Sequence, residues 1–263
     1  MTRSGGPDCR LTRLLREAGA DPIQAPLTRT LPPSAGDALD LELPALFESD
    51  WLVVTSARSL APLVAALDRR GLGAAEIRAH GVEVCAVGPE TAKALRAAGF
   101  EPALVPDRFQ AEGVVEALAR RGVGPGSRLF FPRAEEGRDV IPTMLRARGA
   151  DVRVVAAYRT EPLPDEADRL VRLLAEGRCD AVTFTAASAA AAFAEALGRS
   201  GGRFAHAPGS TGGPAVVALG PSTAGALTDR GIQVDRIAEP HTFEGLLEAV
   251  ADFARSGPSR PAD

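Results

Sequence analysis

The feature that most constrains this chain is a pattern it carries twice. Residues 84–100 read as a short apolar strand, a Gly88-Pro89 turn, and a helix that opens on Glu90 and Thr91 and stops at Gly99. Residues 216–232 repeat it, with Gly220-Pro221, then Ser222 and Thr223, and a stop at Gly231. The register extends far beyond these turns. At a spacing of 130, Arg3 meets Arg133, Leu11 meets Ile141, Leu15 meets Leu145, Gly19 meets Gly149, Asp21 meets Asp151, and Thr55 meets Thr185. Arg29, Thr30 and Pro32 meet Arg159, Thr160 and Pro162 in the same way. After one small length change the spacing is 132, and Glu112-Gly113 meets Glu244-Gly245. A register held this long is the mark of an internal duplication.

Each copy alternates strands with helices. Strands are expected at 21–27, 51–55, 102–105, 128–133, 151–157, 180–185 and 234–237, and a strand opens each Gly-Pro unit. Helices are expected at 8–18 (with Asp8 as cap), 41–47, 56–67, 111–119, 187–197 and 243–254. Another carries Ile141, Met144 and Leu145, with Pro142 in its first turn. Pro32 and Pro33 cannot continue a central strand, so 28–33 reads as a connector. The Gly/Ser/Pro-rich stretch 199–214 reads as a mobile loop, and 257–263 as a disordered tail. The strand at Leu129–Phe131 has no copy, because that copy would precede Met1. Loss of an interior strand would leave ladder groups unpaired and a hole in the core, so the expectation is a true start upstream.

This rhythm predicts an α/β fold: two parallel-sheet α/β domains, flavodoxin- or Rossmann-like, with helices on both faces of each sheet. Ligands in such sheets sit beyond the C-terminal strand ends. That places Arg3, Ser56, Gly88-Pro89-Glu90-Thr91, Arg133, Thr185, Ser188 and Gly220-Pro221-Ser222-Thr223 on the functional edges. The two Gly-Pro turns offer backbone N–H groups and a hydroxyl at a helix start, which suits a carboxylate or phosphate but equally suits plain capping by Thr or Ser. Arg3 and Arg133 follow strands, as surface residues or as bidentate carboxylate clamps. Tyr158, the only tyrosine, ends an apolar strand beside a connector; it is either an amphipathic edge residue or a phenol able to donate a proton at a cleft.

Composition removes several classes of function. A net charge of −4 provides no basic field for nucleic acid, and no apolar run reaches the length of a membrane span. The first residues lack the apolar core of a signal peptide. Cys9, Cys85 and Cys179 are far apart, which fits a reducing cytoplasm. His80, His206 and His241 are scattered, read as solvated loop residues, and show no metal-ligand spacing with the cysteines. Neither turn is a GxGxxG or Walker loop, so no nucleotide, metal or other cofactor is expected. Lys93 is the only lysine, which leaves anion recognition to guanidinium groups.

Taken together, residues 50–57, 87–92, 111–113, Phe131-Pro132-Arg133, 157–160, 180–185 and 219–224 resemble the uroporphyrinogen-III synthase family, from Thr2-Arg3 to about Val250. The resemblance implies two α/β domains, 1–28 with 161–256 and 35–156, joined by two antiparallel connector strands with the substrate in a cleft between them. It implies hydroxymethylbilane as substrate. This linear tetrapyrrole with eight carboxylates loses its hydroxyl to give an azafulvene, closes through a spiro intermediate and emerges with ring D inverted, without cofactor. By the same resemblance Tyr158 assists the departing hydroxyl, and Thr91, Ser222 and Thr223 are cleft hydroxyls. A hand-over from hydroxymethylbilane synthase is the one protein partner implied. Ala186 and Gln110 depart from the family's usual hydroxyl residues. A hinged cleft needs room to close, so a monomer is expected. Two other readings compete. One is a non-catalytic tetrapyrrole- or ligand-sensing module on the same scaffold, which an appended helix-turn-helix would mark. The other is a two-lobed sugar or nucleotide binder, which would need a phosphate loop or a signal peptide.

Overall fold

The computed structural model describes residues 1–3, 9–34, 36, 38–137, 139–201 and 213–256. Asp8, most of the stretch 199–214 with His206, and the tail 257–263 lie outside the described residues. In chain order the elements are α1 (Arg10–Glu17), β1 (Thr28–Leu31), α2 (Ala38–Phe47), β2 (Trp51–Val54), α3 (Ala57–Asp68), α4 (Ala74–Ala79), β3 (Glu83–Ala86), α5 (Pro89–Ala97), α6 (Ala111–Arg120), β4 (Arg128–Ala134), α7 (Val140–Ala147), β5 (Asp151–Pro162), α8 (Pro164–Ala175), β6 (Ala181–Phe184), α9 (Ala187–Arg199), β7 (Ala215–Ala218), α10 (Pro221–Thr228), β8 (Arg236–Ile237) and α11 (Phe243–Ser256). The chain divides into two compact units, Thr30–Thr160 and Met1–Arg29 with Glu161–Asp263. No described helix is long and apolar enough to cross a membrane.

The unit 30–160 holds a sheet in the order β1-β5-β4-β2-β3, in which the pairs β5–β4, β4–β2 and β2–β3 are parallel. Its short strands are apolar on both faces because helices cover both. Leu52, Val54, Val84, Ala86 and Phe130 pack into one buried cluster, with the inward faces of α2, α3 and α5. Trp51, Val53, Cys85, Leu129 and Phe131 pack into the other, with α6 and α7. Alternate residues of one strand thus serve opposite cores, as a parallel sheet covered on both sides requires. Burial pushes the Cys85 thiol up to about 12, so it behaves as a small apolar residue.

The unit 1–29 with 161–256 repeats the plan. Its parallel sheet runs β6-β7-β8. Val216 and Ala218 enter a cluster with Phe184, Phe193 and Leu227, while Ala215 and Val217 enter one with Leu11, Leu15 and Leu246. The duplication is visible in the pairing itself. Val217 pairs with Arg236 in this unit, and the residues 132 positions earlier, Cys85 and Leu104, form an isolated parallel bridge in the other. The strand expected at 102–105 is reduced to that bridge. Its residues are Pro102-Ala103-Leu104, and a proline beside a three-residue span leaves too few N–H groups for a ladder.

The segment 21–27 also departs from expectation. It is extended but forms no regular strand. Ala25 and Leu27 donate their N–H groups to the carbonyls of Met1 and Thr2, and Thr2 N–H donates to the Thr183 carbonyl. Met1–Arg3 therefore lies against both β6 and residues 25–27, the place that the end of β4 (Phe131–Arg133) holds in the other unit. Residues further back in 21–27 have only the Met1 amino group, bonded to the Ile23 carbonyl at 2.8 Å, as such a neighbour. Helices α4 and α8 were not anticipated. Gly73 N–H accepted by the Glu76 carboxylate closes the start of α4, a local device one turn long.

Two close approaches explain the glycine of each duplicated Glu-Gly pair. A Cβ on Gly113 would lie 2.3 Å from the Arg108 carbonyl oxygen, and one on Gly245 would lie 2.0 Å from that of Pro240. Each glycine lets the preceding turn fold onto the first turn of its helix, α6 or α11. Gly245→Ala is expected to destabilise the protein by about 1–3 kcal/mol through overpacking, read as a fall in thermal or urea midpoint. At the sheet centre, Thr183 is 5% exposed and its hydroxyl has no hydrogen-bond partner among the described residues, whereas the matching position in the other unit is Val53. Thr183→Val removes an unpaired buried hydroxyl at constant shape and should raise stability by about 1 kcal/mol. Its neighbour change Phe184→Ala should cost about 3–5 kcal/mol in the same denaturation experiment.

Candidate functional site

Parallel pairing brings the C-terminal ends of β2, β3, β4 and β5 to one edge of the unit 30–160. Ser56, at the N-cap of α3, stands there with its hydroxyl not used for capping; its carbonyl instead accepts from the Ser59 N–H and hydroxyl. Gly88 is the N-cap of α5, with Pro89 first and Glu90 exposed in the first turn. Thr91 is 7% exposed, and its hydroxyl makes a long 3.4 Å bond to the Thr55 carbonyl, tying the Gly-Pro turn to the end of β2. Thr91 is thus chiefly a structural tie between two strand ends.

Arg133 leaves the end of β4 into the loop before α7. Its side chain is only 13% exposed. Nη2 donates to the Asp139 carboxylate at 2.8 Å, while Nε and Nη1 are buried and meet no partner among the described residues. A Cβ on Gly137 would lie 2.8 Å from Nη1, so that glycine lets the loop close down on the guanidinium. Leaving charged N–H groups buried and unpaired costs about 1–3 kcal/mol each, and both remain open to a further acceptor.

Tyr158 lies on β5 just past an irregularity. Arg133 pairs with Ala156 but Ala134 pairs with Tyr158, so one residue of β5 is extra. The effect is on facing. Val152 and Val154 turn to one core, Val155 and Ala157 to the other; a regular strand would return residue 158 to the first. The bulge turns Tyr158 instead to the side of Val155, Leu60 and Ala92, where it is 8% exposed. No hydrogen bond holds its hydroxyl among the described residues, and its carbonyl accepts from the Glu135 N–H at 2.7 Å.

In the other unit, Thr185 follows β6, Ser188 lies in the first turn of α9, and both are half-buried. Ala186 is the N-cap of α9 and has no side chain to cap with. Ser222 is exposed in the first turn of α10, after the N-cap Gly220, while Thr223 is 7% exposed. Arg3 follows Thr2 at the same edge, and its guanidinium sits 5.1 Å from the Phe243 ring centroid. Cys9 occupies the position matching Asp139. Burial pushes its thiol up, but hydrogen bonds from Thr12 and Leu11 and the nearby Arg3 charge outweigh this and leave it below the ordinary range.

Each unit therefore gathers its own predicted residues at one sheet edge. Sequence reasoning passed over three others there. Asp139 is the partner of Arg133. Phe109 and His241 lie against Gly88 and Gly220, and their 132-residue spacing was the available signal. Among the described residues, no group of three His, Cys, Asp or Glu side chains is placed to hold a metal ion. A cavity of about 600 Å³ opens at Thr228, Gly231 and Asp235, near the C-terminal end of α10, and takes in none of the candidate residues.

Comparison with known proteins agrees over nearly the full length. A family model described as Uroporphyrinogen-III synthase HemD matches residues 10–248. The uroporphyrinogen-III synthase of Synechococcus elongatus is 31% identical over 261 residues, covering 97% of this chain and 94% of that one. A putative uroporphyrinogen-III synthase of Archaeoglobus fulgidus is 28% identical over 90% of each chain. Among solved structures, a mutant uroporphyrinogen III synthase of Thermus thermophilus superimposes with a TM-score of 0.66 at 20% identity, covering 96% of this chain and 97% of that one. The uroporphyrinogen-III synthetase of Helicobacter pylori gives 0.56 at 20% identity, with 89% and 95% covered. These two share the α/β fold. The duplicated strand ends, the parallel sheets and the full-length match together place this chain in the uroporphyrinogen-III synthase family, whose name is that of an enzyme of porphyrin and heme biosynthesis.

Proposed function

We propose that this protein is a cyclising hydro-lyase that converts hydroxymethylbilane to uroporphyrinogen III with inversion of ring D. The observation that supports this reading most directly is Arg133, a nearly buried guanidinium with Nε and Nη1 unpaired at a ligand-binding edge. Each of these N–H groups can give a charge-assisted hydrogen bond to a carboxylate oxygen, and the substrate carries eight carboxylates. Arg3 takes the equivalent part in the other unit. Ser56, Thr185, Ser188 and Ser222 add hydroxyl donors, with Thr91 and Thr223 holding the turns that present them.

The chemistry needs the terminal C–O bond to break with a proton delivered to the departing hydroxyl, which leaves as water. The assignment of this proton to Tyr158 is supported by the bulge in β5 that turns the residue, and by a hydroxyl with no competing bond among the described residues. The azafulvene that remains is cationic and electrophilic in itself. The protein's task is to hold the chain so that the substituted carbon of ring D attacks and gives the spiro intermediate, then the inverted product. The domain division 1–28 with 161–256 and 35–156, a monomeric state, receipt of substrate from hydroxymethylbilane synthase and a cytoplasmic location belong to this same reading.

A coupled assay tests it. Freshly generated hydroxymethylbilane is supplied, the products are oxidised, and type I and type III uroporphyrin isomers are separated by chromatography. Type III should predominate over the spontaneous type I background; type I alone from folded protein would overturn the reading and favour a sensing module. Tyr158→Phe should lower kcat about 10²-fold with KM little changed, since the proton is delivered only as the bond breaks. Arg133→Met should act the other way, raising KM about tenfold or more through loss of a charge-assisted pair.

A further inference from the structure

The two Gly-Pro turns each carry a ring that the reaction scheme above does not use. A Cβ built on Gly88 would lie 3.6 Å from Phe109 Cγ, and one built on Gly220 would lie 3.6 Å from His241 Cγ. The two rings are 132 residues apart, so they hold the same position in the duplication. They are held by the same device. Gly113 and Gly245, four residues after each ring, allow the carbonyls of Arg108 and Pro240, one residue before each ring, to press against the helix start. A duplicated geometry of this kind places a side chain; it is not a loop that merely happens to pass by.

The rings differ in chemistry. Phe109 is 51% exposed, one of four large apolar side chains left so exposed among the described residues. It stands at the edge that carries Ser56, Arg133 and Tyr158, lying over Gly88 with about half of its surface open. His241 is exposed, and its Nδ1 lies 2.6 Å from the Ala238 carbonyl oxygen. That contact puts a proton on Nδ1 and leaves Nε2 to accept, or when protonated to donate, outside the protein.

We propose that Phe109 and His241 are substrate-contacting residues with unlike tasks, each at the edge of its own unit: Phe109 lies against the flat face of a pyrrole ring, and His241, as the imidazolium, donates from Nε2 to a carboxylate of a tetrapyrrole. The inference rests on the synthase reading. A linear tetrapyrrole presents both features repeatedly, apolar ring faces and pendant carboxylates. Both contacts are made in the bound ground state, before the chemistry begins.

The test is steady-state kinetics of the full chain on freshly generated hydroxymethylbilane, with isomer analysis and thermal midpoints for each variant. His241→Phe should raise KM about tenfold, the scale of one hydrogen bond to a charged group, with kcat within about twofold. His241→Gln keeps a side-chain N–H donor and should recover most of that loss. Phe109→Ser should raise KM several-fold, and Phe109→Tyr should leave it close to that of the parent. The outcomes separate the two claims. If the parent protein yields only the type I isomer, the synthase reading fails and this inference with it. If the parent yields type III while His241→Phe and Phe109→Ser keep the parental KM and thermal midpoint, the synthase reading stands and the rings are not substrate contacts. A lowered midpoint with unchanged KM in folded protein would likewise overturn the inference and make the rings supports for the turns.

Discussion

Parallel strand pairing is the constraint from which the rest of this molecule follows. A parallel ladder sends every strand-to-helix loop to the same edge, because each strand must be re-entered from its other end. Trp51–Val54, Glu83–Ala86, Arg128–Ala134 and Asp151–Tyr158 come from four distant parts of the chain, yet their last residues meet at one edge. Strands β2, β3, β6 and β7 are four residues long and almost wholly apolar because helices cover both faces. Polar chemistry is therefore concentrated toward and beyond the C-terminal strand ends. Arg133 and Tyr158 lie in the C-terminal halves of β4 and β5, and Ser56, Gly88, Thr185 and Gly220 follow their strands.

Duplication supplies the frame twice, but the two edges have drifted apart in charge. Arg133 faces the Asp139 carboxylate, and Glu90 adds a second acid in the first turn of α5. At the matching positions the other unit has Arg3 beside the Cys9 thiol and Ser222 in the first turn of α10. Where Arg3 has the Phe243 ring beneath it, the matching position beside Arg133 is Ala111. A guanidinium over an aromatic ring gains a cation–π contact, whereas one beside a carboxylate gains a charge-assisted hydrogen bond. The edge of 30–160 also holds the phenol and the exposed phenyl ring.

The sheet-forming runs and the two Gly-Pro turns were legible because their signals are local and strong: four apolar residues, then Gly-Pro, then a polar first turn. The register of 130 and 132 residues carried more, since it tied positions such as Glu112-Gly113 and Glu244-Gly245 together before any pairing was known. What escaped was whatever depends on a neighbour. Residues 102–105 have strand composition, but a strand needs N–H groups facing a partner, and only the Cys85–Leu104 bridge forms. Residues 21–27 have alternating character, but among the described residues their bonds to Met1–Arg3 are those of the Ala25 and Leu27 N–H groups to the Met1 and Thr2 carbonyls and of the Met1 amino group to the Ile23 carbonyl. Helix α8 has the strong amphipathic spacing of Leu170, Val171 and Leu174 and was available to a closer reading.

The site residues were legible by type and place but not by orientation. Tyr158 shows why. Period-two alternation along β5 assigns it to the core that takes Val152 and Val154, and only the extra residue opposite Arg133 and Ala134 reverses that assignment. No residue of the stretch Ala156-Ala157-Tyr158 announces a bulge, since none is glycine or proline. The bulge arises because β4 ends in a turn at 134–137 while β5 must continue to Pro162, so the two strands part company within one residue of the tyrosine. A feature that directs the one phenol of the chain is thus a consequence of two strands of unequal length, a property of the pair that neither strand carries by itself.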